Sequence, residues 1–262
     1  MRNTRAAEVL SRRRVAAMVR VVAVVLGLAT ALCQAQPNRQ ESTGMPQTPA
    51  TAETLDARQQ AIVPIAAFAA AGDIAKLNLA LEQGLDAGLT ISDAREILVQ
   101  LYAYAGFPRS LNALGELMKV LESRRQRGLR DAPGREPSRP IPEGEALHAA
   151  GTANQTRLAG APVSGPVFEF APAIDQYLKS HLFGAIFERD NLDWQSRELA
   201  TVGMLSALPG AESQLQSHMR ISMNVGITSS QLQQLARVLN ERVDADAARR
   251  ATQALARATA AR

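Results

Sequence analysis

The chain has almost no cysteine, since Cys33 is the single thiol among its 262 residues. Intramolecular disulfides and thiolate metal clusters are therefore excluded, and cleavage after Ala35 leaves a mature chain without any thiol. A fold without disulfides has to be held together by an apolar core. The hydrophobic content of 46% is sufficient for such a core.

Aromatic residues are also scarce, at 4% of the sequence. The excess of positive charge is confined to the N-terminus, because residues 1–35 carry six arginines and only one acidic residue, Glu8. The remaining residues contain 23 basic and 24 acidic side chains, so the pI near 9.7 comes from the N-terminal segment. Without a basic surface or stacking aromatics, nucleic acid is not an expected partner.

That N-terminal segment has the features of a secretory signal peptide, with arginines followed by an apolar run from Val21 to Leu32. Small residues at positions 29, 31, 33 and 35 provide cleavage sites. We predict a signal peptide over residues 1–35, export to the periplasm, and no stable membrane insertion after cleavage. A twin-arginine signal, a lipidated Cys33 and an uncleaved anchor are the alternatives, although the run is short for a bilayer span.

The rest of the chain divides by composition and helical periodicity. The predicted segments are a disordered leader (36–52), a first helical domain (53–125), a Pro-rich linker (126–170), a second helical domain (171–242) and an Ala/Arg-rich C-terminal helix (243–262). Asp56 is placed to cap the first helix of the first domain, and Asp193 to cap a helix that follows the opening helix of the second domain. No stretch shows the alternation of a strand, so the predicted fold class is all-α, with two similar helical units in tandem.

A short segment that occurs twice supports the tandem organisation. Gly84 to Thr90 is echoed by Met223 to Thr228, with Gly88 and Gly226 separated by 138 positions. In each copy the glycine is placed to end one helix in the left-handed conformation, and the following threonine to cap the next. The repeat therefore predicts the same helix-turn-helix corner in two duplicated halves.

The two halves differ in the residues that could do chemistry. Glu198 and His218 occupy positions that are Gln60 and Ala80 in the first half. We expect Glu198 and His218 to lie on consecutive antiparallel helices and to face each other. A carboxylate touching an imidazole can transfer protons near neutral pH, but the same pair can also be a buried histidine satisfied by a glutamate.

Five segments resemble those of the carboxymuconolactone decarboxylase family, relatives of alkyl hydroperoxidase D: Arg197–Thr201, Gln214–His218, Asn224–Thr228, Gly84–Thr90 and Tyr102–Pro108. The last of these resembles the Tyr-x-Gly-x-Pro ending of a helix in that family. The resemblance covers roughly residues 55–125 and 172–240. It implies an alkyl hydroperoxidase D-like helical bundle in each half, and a homo-oligomer in which three two-half chains form a ring.

The peroxidase branch of that family uses a glutamate, a C-x-x-C pair and a histidine four residues beyond the second cysteine. Counting back from His218 places the two cysteine positions at Gln214 and Ala211, so a thiol peroxidase is disfavoured. The decarboxylase branch acts without a cofactor on a lactone carboxylate. Its resemblance implies Glu198 and His218 as catalytic residues.

Substrate binding is expected to involve residues of both halves. Arg197 and Arg220 could hold a substrate carboxylate. Aromatic residues of the first half, Tyr102, Tyr104 and Phe107, are expected to line one composite pocket around His218. His181 is a weaker candidate for the same pocket. With three histidines and no carboxylate cluster at ligand spacing, no metal site is predicted.

Two functions remain open on the sequence. The first is a cofactor-free acid/base enzyme acting on a small lactone or carboxylate. The second is a binding or assembly protein that kept the scaffold and lost the chemistry. An enzyme is expected to hold His218 in an enclosed pocket, whereas a scaffold is expected to fill that space with side chains.

Overall fold

A computed structural model describes residues 54–260, and within this range every regular element is helical. This confirms the all-α class; the predicted signal peptide and leader lie outside these residues. In chain order the elements are α1 (Ala57–Ala71), α2 (Ile74–Asp86), α3 (Ile91–Gln100), α4 (Tyr102–Ala105), α5 (Phe107–Gln126), α6 (Gly144–Ala159), α7 (Pro166–Phe170), α8 (Pro172–Tyr177), a π-helical segment (Leu178–Ile186), α9 (Trp194–Ser206), α10 (Glu212–Asn224), α11 (Ser229–Arg242) and α12 (Ala245–Ala260).

The repeated corner has the predicted structure in both halves. Gly88 and Gly226 have φ angles of 93° and 96°, in the left-handed region that glycine adopts at little cost. The side chains of Thr90 and Thr228 then accept hydrogen bonds from the third residue of α3 and of α11, forming a capping box in each case. A shift of 138 residues superimposes the bounds of α2 on those of α10, which confirms the tandem arrangement.

The same shift relates the start of α5, Phe107, to the start of α12, Ala245. In the first half α5 packs on α2 and α3, and in the second half α12 packs on α10 and α11. Helix α12 therefore belongs to the second helical unit, and the predicted boundary at residue 243 cut it off from that unit. Its alanine-rich face, including Ala247, Ala251 and Ala258, is buried in the core of its own chain.

Helices α1 and α9 pack against each other at the centre and join the two halves. Both are buried almost all round, and Gly203 of α9 lies so close to α1 that an added Cβ would be 2.9 Å from the carbonyl oxygen of Val63. Pro64, which could have bent or delayed the first helix, is accommodated inside α1. The apolar faces of the two halves merge into one core.

The segment predicted as a Pro-rich linker, residues 126–170, contains the 16-residue helix α6. The prolines lie outside this helix, and its small residues allow close packing on the π-helical segment. A Cβ added to Gly151 would be 1.8 Å from the carbonyl oxygen of Lys179. Together they cover a second, smaller apolar cluster that includes Leu158, Phe183 and Ile221. His148 is half-buried on α6.

Within residues 54–260, no helix combines the length and the apolar character that a membrane span requires.

Candidate active site

His218 and Glu198 meet as the sequence predicts. Helices α9 and α10 run antiparallel on either side of the turn at Pro209 and Gly210, and Nδ1 of His218 lies 2.8 Å from Oε2 of Glu198. Glu198 is completely buried and the His218 side chain is 9% exposed. Because a carboxylate only accepts hydrogen bonds, the shared proton is assigned to Nδ1, which leaves Nε2 as the reactive nitrogen.

Tyr104 brings the first half of the chain to this pair. It lies on α4, and its ring meets the imidazole of His218 edge-on, with 5.6 Å between the ring centroids. The Tyr104 hydroxyl is buried beside Thr201 and the Glu198 carboxylate. Burial, and then the negative charge of Glu198, raise the pKa of Tyr104 far above its usual value, so the phenol stays protonated.

Arg197 does not hold substrate, contrary to expectation. It is completely buried, and it pairs with Glu96 of α3, with 3.1 Å between Nη2 and Oε2. It also donates to Gln100 Oε1 and to the carbonyl oxygen of Arg189. The side chain points from α9 into the contact with α3, so it ties the halves together instead of facing a ligand.

The ion pairs around Arg197 keep Glu96 charged. Arg189 contacts the same carboxylate at 2.6 Å. Burial alone raises the pKa of Glu96, but the hydrogen bonds from Arg189 and the charge of Arg197 outweigh burial and lower it to about 2. Desolvation lowers the pKa of Arg197, which still carries its charge near neutral pH.

The remaining predicted residues lie around the pair or apart from it. Tyr102 stacks on Phe107 with 4.6 Å between the ring centroids, and Phe107 is 63% exposed. Tyr102 and His181 line a cleft of about 220 Å³ on the π-helical segment, where the His181 ring packs near Tyr177. Arg220 is partly exposed on α10, and makes no ion pair with another residue in the 54–260 range. The structure therefore brings Tyr104 to His218 and places Tyr102, Phe107 and His181 in a neighbouring patch.

The equivalent positions in the first half cannot repeat this chemistry. Gln60, at the position of Glu198, donates to the carbonyl oxygen of Leu55 at 2.8 Å, and Ala80 takes the place of His218. Arg242 stands where Tyr104 stands in the other half and donates to Gln83. One acid–base pair is therefore present in the described part of each chain.

The comparison with family models agrees with this architecture. The model of the carboxymuconolactone decarboxylase family matches residues 48–118 and 172–257, which together make up more than half of the chain. The chain belongs to the carboxymuconolactone decarboxylase family. Glu198 and His218 both lie in the second match, and Tyr104 lies in the first. A search of curated proteins found no match.

Membership of the carboxymuconolactone decarboxylase family does not supply a thiol here. Ala211, at the N-cap of α10, and Gln214, in its first turn, stand at the C-x-x-C positions that the resemblance implied. Residues 54–260 contain no cysteine, and within them no group of three or more His, Cys, Asp or Glu side chains could hold a metal ion.

Three residues around the site were not singled out from the sequence. Thr201 donates to the carbonyl oxygen of Arg197 at 3.0 Å and accepts from Gln100 Nε2 at 2.8 Å. Glu96 and Gln100, four residues apart on α3, present both polar groups to α9. This i, i+4 spacing of two polar side chains on one face of α3 was a usable signal. The spacing could not show that the partners of Glu96 and Gln100 lie on α9, about a hundred residues away.

Proposed function

We propose that this member of the carboxymuconolactone decarboxylase family is a cofactor-free acid/base enzyme acting on a small lactone or carboxylate. The observation that carries the proposal is the buried contact between His218 Nδ1 and Glu198 Oε2, with Tyr104 from the other half against the imidazole. A histidine held in this way has one nitrogen oriented and the other left for proton transfer.

The reaction class is loss of CO₂ from a carbon next to a carbonyl group. The bond between that carbon and the carboxylate breaks, and its electron pair is delocalised towards the carbonyl as an enolate. The protonated Nε2 of His218 then gives its proton to the carbon, and water returns a proton to the ring. Arg220, two residues from His218, is the cation proposed to bind the substrate carboxylate, since Arg197 is engaged elsewhere.

The test is a screen of the purified chain against small lactones and β-keto acids, with CO₂ release and loss of substrate as readouts. Replacing a general acid–base histidine lowers turnover by about 100-fold to 10,000-fold, and we expect a loss of this size in His218→Asn. His148→Asn, on α6, is the matched control and should keep full activity. Equal turnover by the His218 variant would remove His218 from the mechanism.

A second candidate is a non-catalytic binding or assembly protein. It is favoured by the close packing around the pair: neither His218 nor Glu198 lines the cleft beside Tyr102 or the larger clefts at α11–α12 and at the start of α9. The same screen separates the two, because a scaffold would bind without turnover in wild type and variant alike. A peroxiredoxin-type antioxidant activity is disfavoured, since Ala211 and Gln214 provide no thiol.

Export to the periplasm is part of the same proposal and rests on the arginine-rich, apolar N-terminus. Fractionation of cells expressing the full chain should release a shortened form with the periplasmic contents. Recovery of a full-length chain from the cytoplasm would contradict export and leave the proposed chemistry untouched.

A further inference from the structure

A chain of buried polar contacts runs from Arg197 towards the acid–base pair, and its links alternate between the two halves. Nη1 of Arg197 donates to Oε1 of Gln100 at 3.2 Å. Nε2 of Gln100 donates to Oγ1 of Thr201 at 2.8 Å, and the Thr201 hydroxyl donates to the carbonyl oxygen of Arg197 at 3.0 Å. All three residues are completely buried, so solvent does not compete for these contacts.

These contacts fix the orientation of the Gln100 amide. Because the Arg197 guanidinium can only donate, it faces the amide oxygen and leaves the amide NH₂ for Thr201. Nε2 of Gln100 also donates to the carbonyl oxygen of Arg197 at 3.0 Å. The Thr201 hydroxyl thus gives its single proton to Arg197 and accepts one from Gln100. A hydroxyl oxygen has two lone pairs, and Gln100 uses one of them.

Tyr104 is placed to use the other lone pair of Thr201. Its hydroxyl is buried and lies within hydrogen-bonding reach of Thr201. Since the Thr201 proton is given to the Arg197 carbonyl, Tyr104 has to be the donor in this contact. A buried hydroxyl without a partner costs stability, which favours the hydrogen bond.

The Tyr104 ring limits the movement of the His218 imidazole. The contact between Nδ1 and Glu198 fixes one point of the imidazole, which can still rotate about that contact. The Tyr104 ring packs against the imidazole with 5.6 Å between the ring centroids and 75° between the ring planes. A second contact of this kind opposes the rotation, and so determines where Nε2 points.

We propose that Thr201 is a positioning residue for His218. Its second lone pair accepts the phenol proton of Tyr104, and this hydrogen bond keeps the Tyr104 ring against the imidazole. Gln100 holds Thr201 in the conformation that makes this possible. The first half of the chain therefore orients the proton-transferring ring of the second half. The value of that orientation for catalysis rests on the proposed function, whereas the orientation itself does not.

The test that needs no substrate is nuclear magnetic resonance of the purified chain. With three tyrosines and three histidines in the sequence, the Overhauser cross-peaks between the Tyr104 ring and the His218 imidazole can be assigned. Thr201→Val has nearly the same shape but no hydroxyl. It should weaken these cross-peaks severalfold, because their intensity falls steeply with distance. Thr201→Ser restores the hydroxyl and should keep them.

Thr252→Val on α12 is the matched control. The Thr252 hydroxyl also donates to a carbonyl oxygen four residues earlier, that of Ala248, at 2.9 Å. This variant should leave the cross-peaks between Tyr104 and His218 unchanged. Tyr104→Phe removes the proposed hydrogen bond from its donor side, so it should weaken the cross-peaks even if Thr201→Val does not fold. Wild-type intensity in Tyr104→Phe or Thr201→Val, or a loss in Thr201→Ser or Thr252→Val, would overturn the proposal.

Turnover gives a second readout when the screen supplies a substrate. A slightly misplaced reacting group can lower the rate by about 100-fold, so Thr201→Val should lower kcat by about 10-fold to 100-fold with KM unchanged. The double variant of Thr201→Val with Tyr104→Phe should be no slower than either single variant, because both remove one hydrogen bond. A higher KM with unchanged kcat would make Thr201 a substrate-binding residue and would contradict the positioning role.

The positioning role and the proposed catalysis fail separately. If His218→Asn keeps full turnover while Thr201→Val loses the cross-peaks, the acid–base role fails and the positioning of the ring stands. If His218→Asn loses turnover but Thr201→Val keeps its cross-peaks and its kcat, the positioning role alone fails.

Discussion

Arg197 is both charged and completely buried. Its need for hydrogen-bond partners explains why several polar residues lie around it. A guanidinium without solvent is costly unless its donors are paired. Here Glu96, Gln100 and the Arg189 carbonyl pair with Nη1 and Nη2, whereas Nε has no partner among residues 54–260. The sequence alone showed an arginine beside Glu198, the glutamate that we propose to be catalytic. Only the structure showed that it points to the other side of α9.

The first prediction concerns this ion pair. Glu96→Gln leaves the buried charge of Arg197 without its counter-ion and should lower the free energy of unfolding by about 3–5 kcal/mol. Urea denaturation measures the change. Glu122→Gln removes an exposed carboxylate paired with Arg125 and should leave the stability almost unchanged, because solvent screens this pair. Similar effects of the two substitutions would show that the buried pair is unimportant.

The same carboxylate predicts acid sensitivity. Its pKa is lowered from 4.5 to about 2 in the folded state. A carboxylate with a lowered folded pKa stabilises the protein above pH 4.5, and this contribution disappears as the pH falls towards 2. Unfolding temperatures measured between pH 6 and pH 2 should therefore fall more steeply for wild type than for Glu96→Gln. If the unfolding temperatures of wild type and Glu96→Gln fell in parallel, groups other than Glu96 would account for the acid sensitivity.

At the scale of the element, helical glycines have opposite roles in α6 and α5. Gly151 lies against the backbone of the π-helical segment, whereas Gly115 has open space where a Cβ would be. The difference follows from their neighbours, because both are glycines inside long helices.

Alanine substitutions should therefore have opposite signs. Gly151→Ala forces α6 away from Lys179 and should destabilise the protein by about 1–3 kcal/mol, as overpacking does. Gly115→Ala should stabilise it by up to about 1 kcal/mol, through helix propensity. Chemical denaturation of the two variants measures both signs. A neutral Gly151→Ala would mean that α6 shifts without cost.

On the scale of the whole molecule, the two halves differ on their outer faces. Helix α5 exposes Phe107, Leu111 and Met118, with exposed fractions of 63%, 64% and 72%. The matching positions of α12 are Ala245, Arg249 and Ala256. An exposed apolar row on one helix and a small, polar row on its repeat favour association through α5.

We predict that a second copy of the chain covers this row of α5, within the homo-oligomeric ring implied by the family resemblance. Met118→Glu should reduce the oligomer to monomers in light scattering coupled to gel filtration. Ala256→Glu, the equivalent change on α12, should leave the assembly intact. A monomeric wild type, or an oligomer that survives Met118→Glu, would show that α5 is not the interface.

Much of the architecture was readable from local signals. The helical periodicity, the caps at Asp56 and Asp193 and the two Gly-Thr corners all correspond to observed elements. Helix α6 was not predicted, because its alanines, glycines and threonines form no large apolar stripe. Its packing on the π-helical segment stabilises it instead. The position of α12 was also missed, since an alanine-rich helix can pack on many surfaces.

The sequence by itself determined the duplication, the helical class and the contact between His218 and Glu198, because turns, caps and a spacing of 20 residues act over short distances. The tertiary structure decided which first-half residue meets that pair, and which arginine is withdrawn from it. Tyr104 reaches His218 and Arg197 reaches Glu96 only because α1 and α9 pack the halves together. Contacts between residues about a hundred positions apart depend on that packing, and no local pattern encodes it.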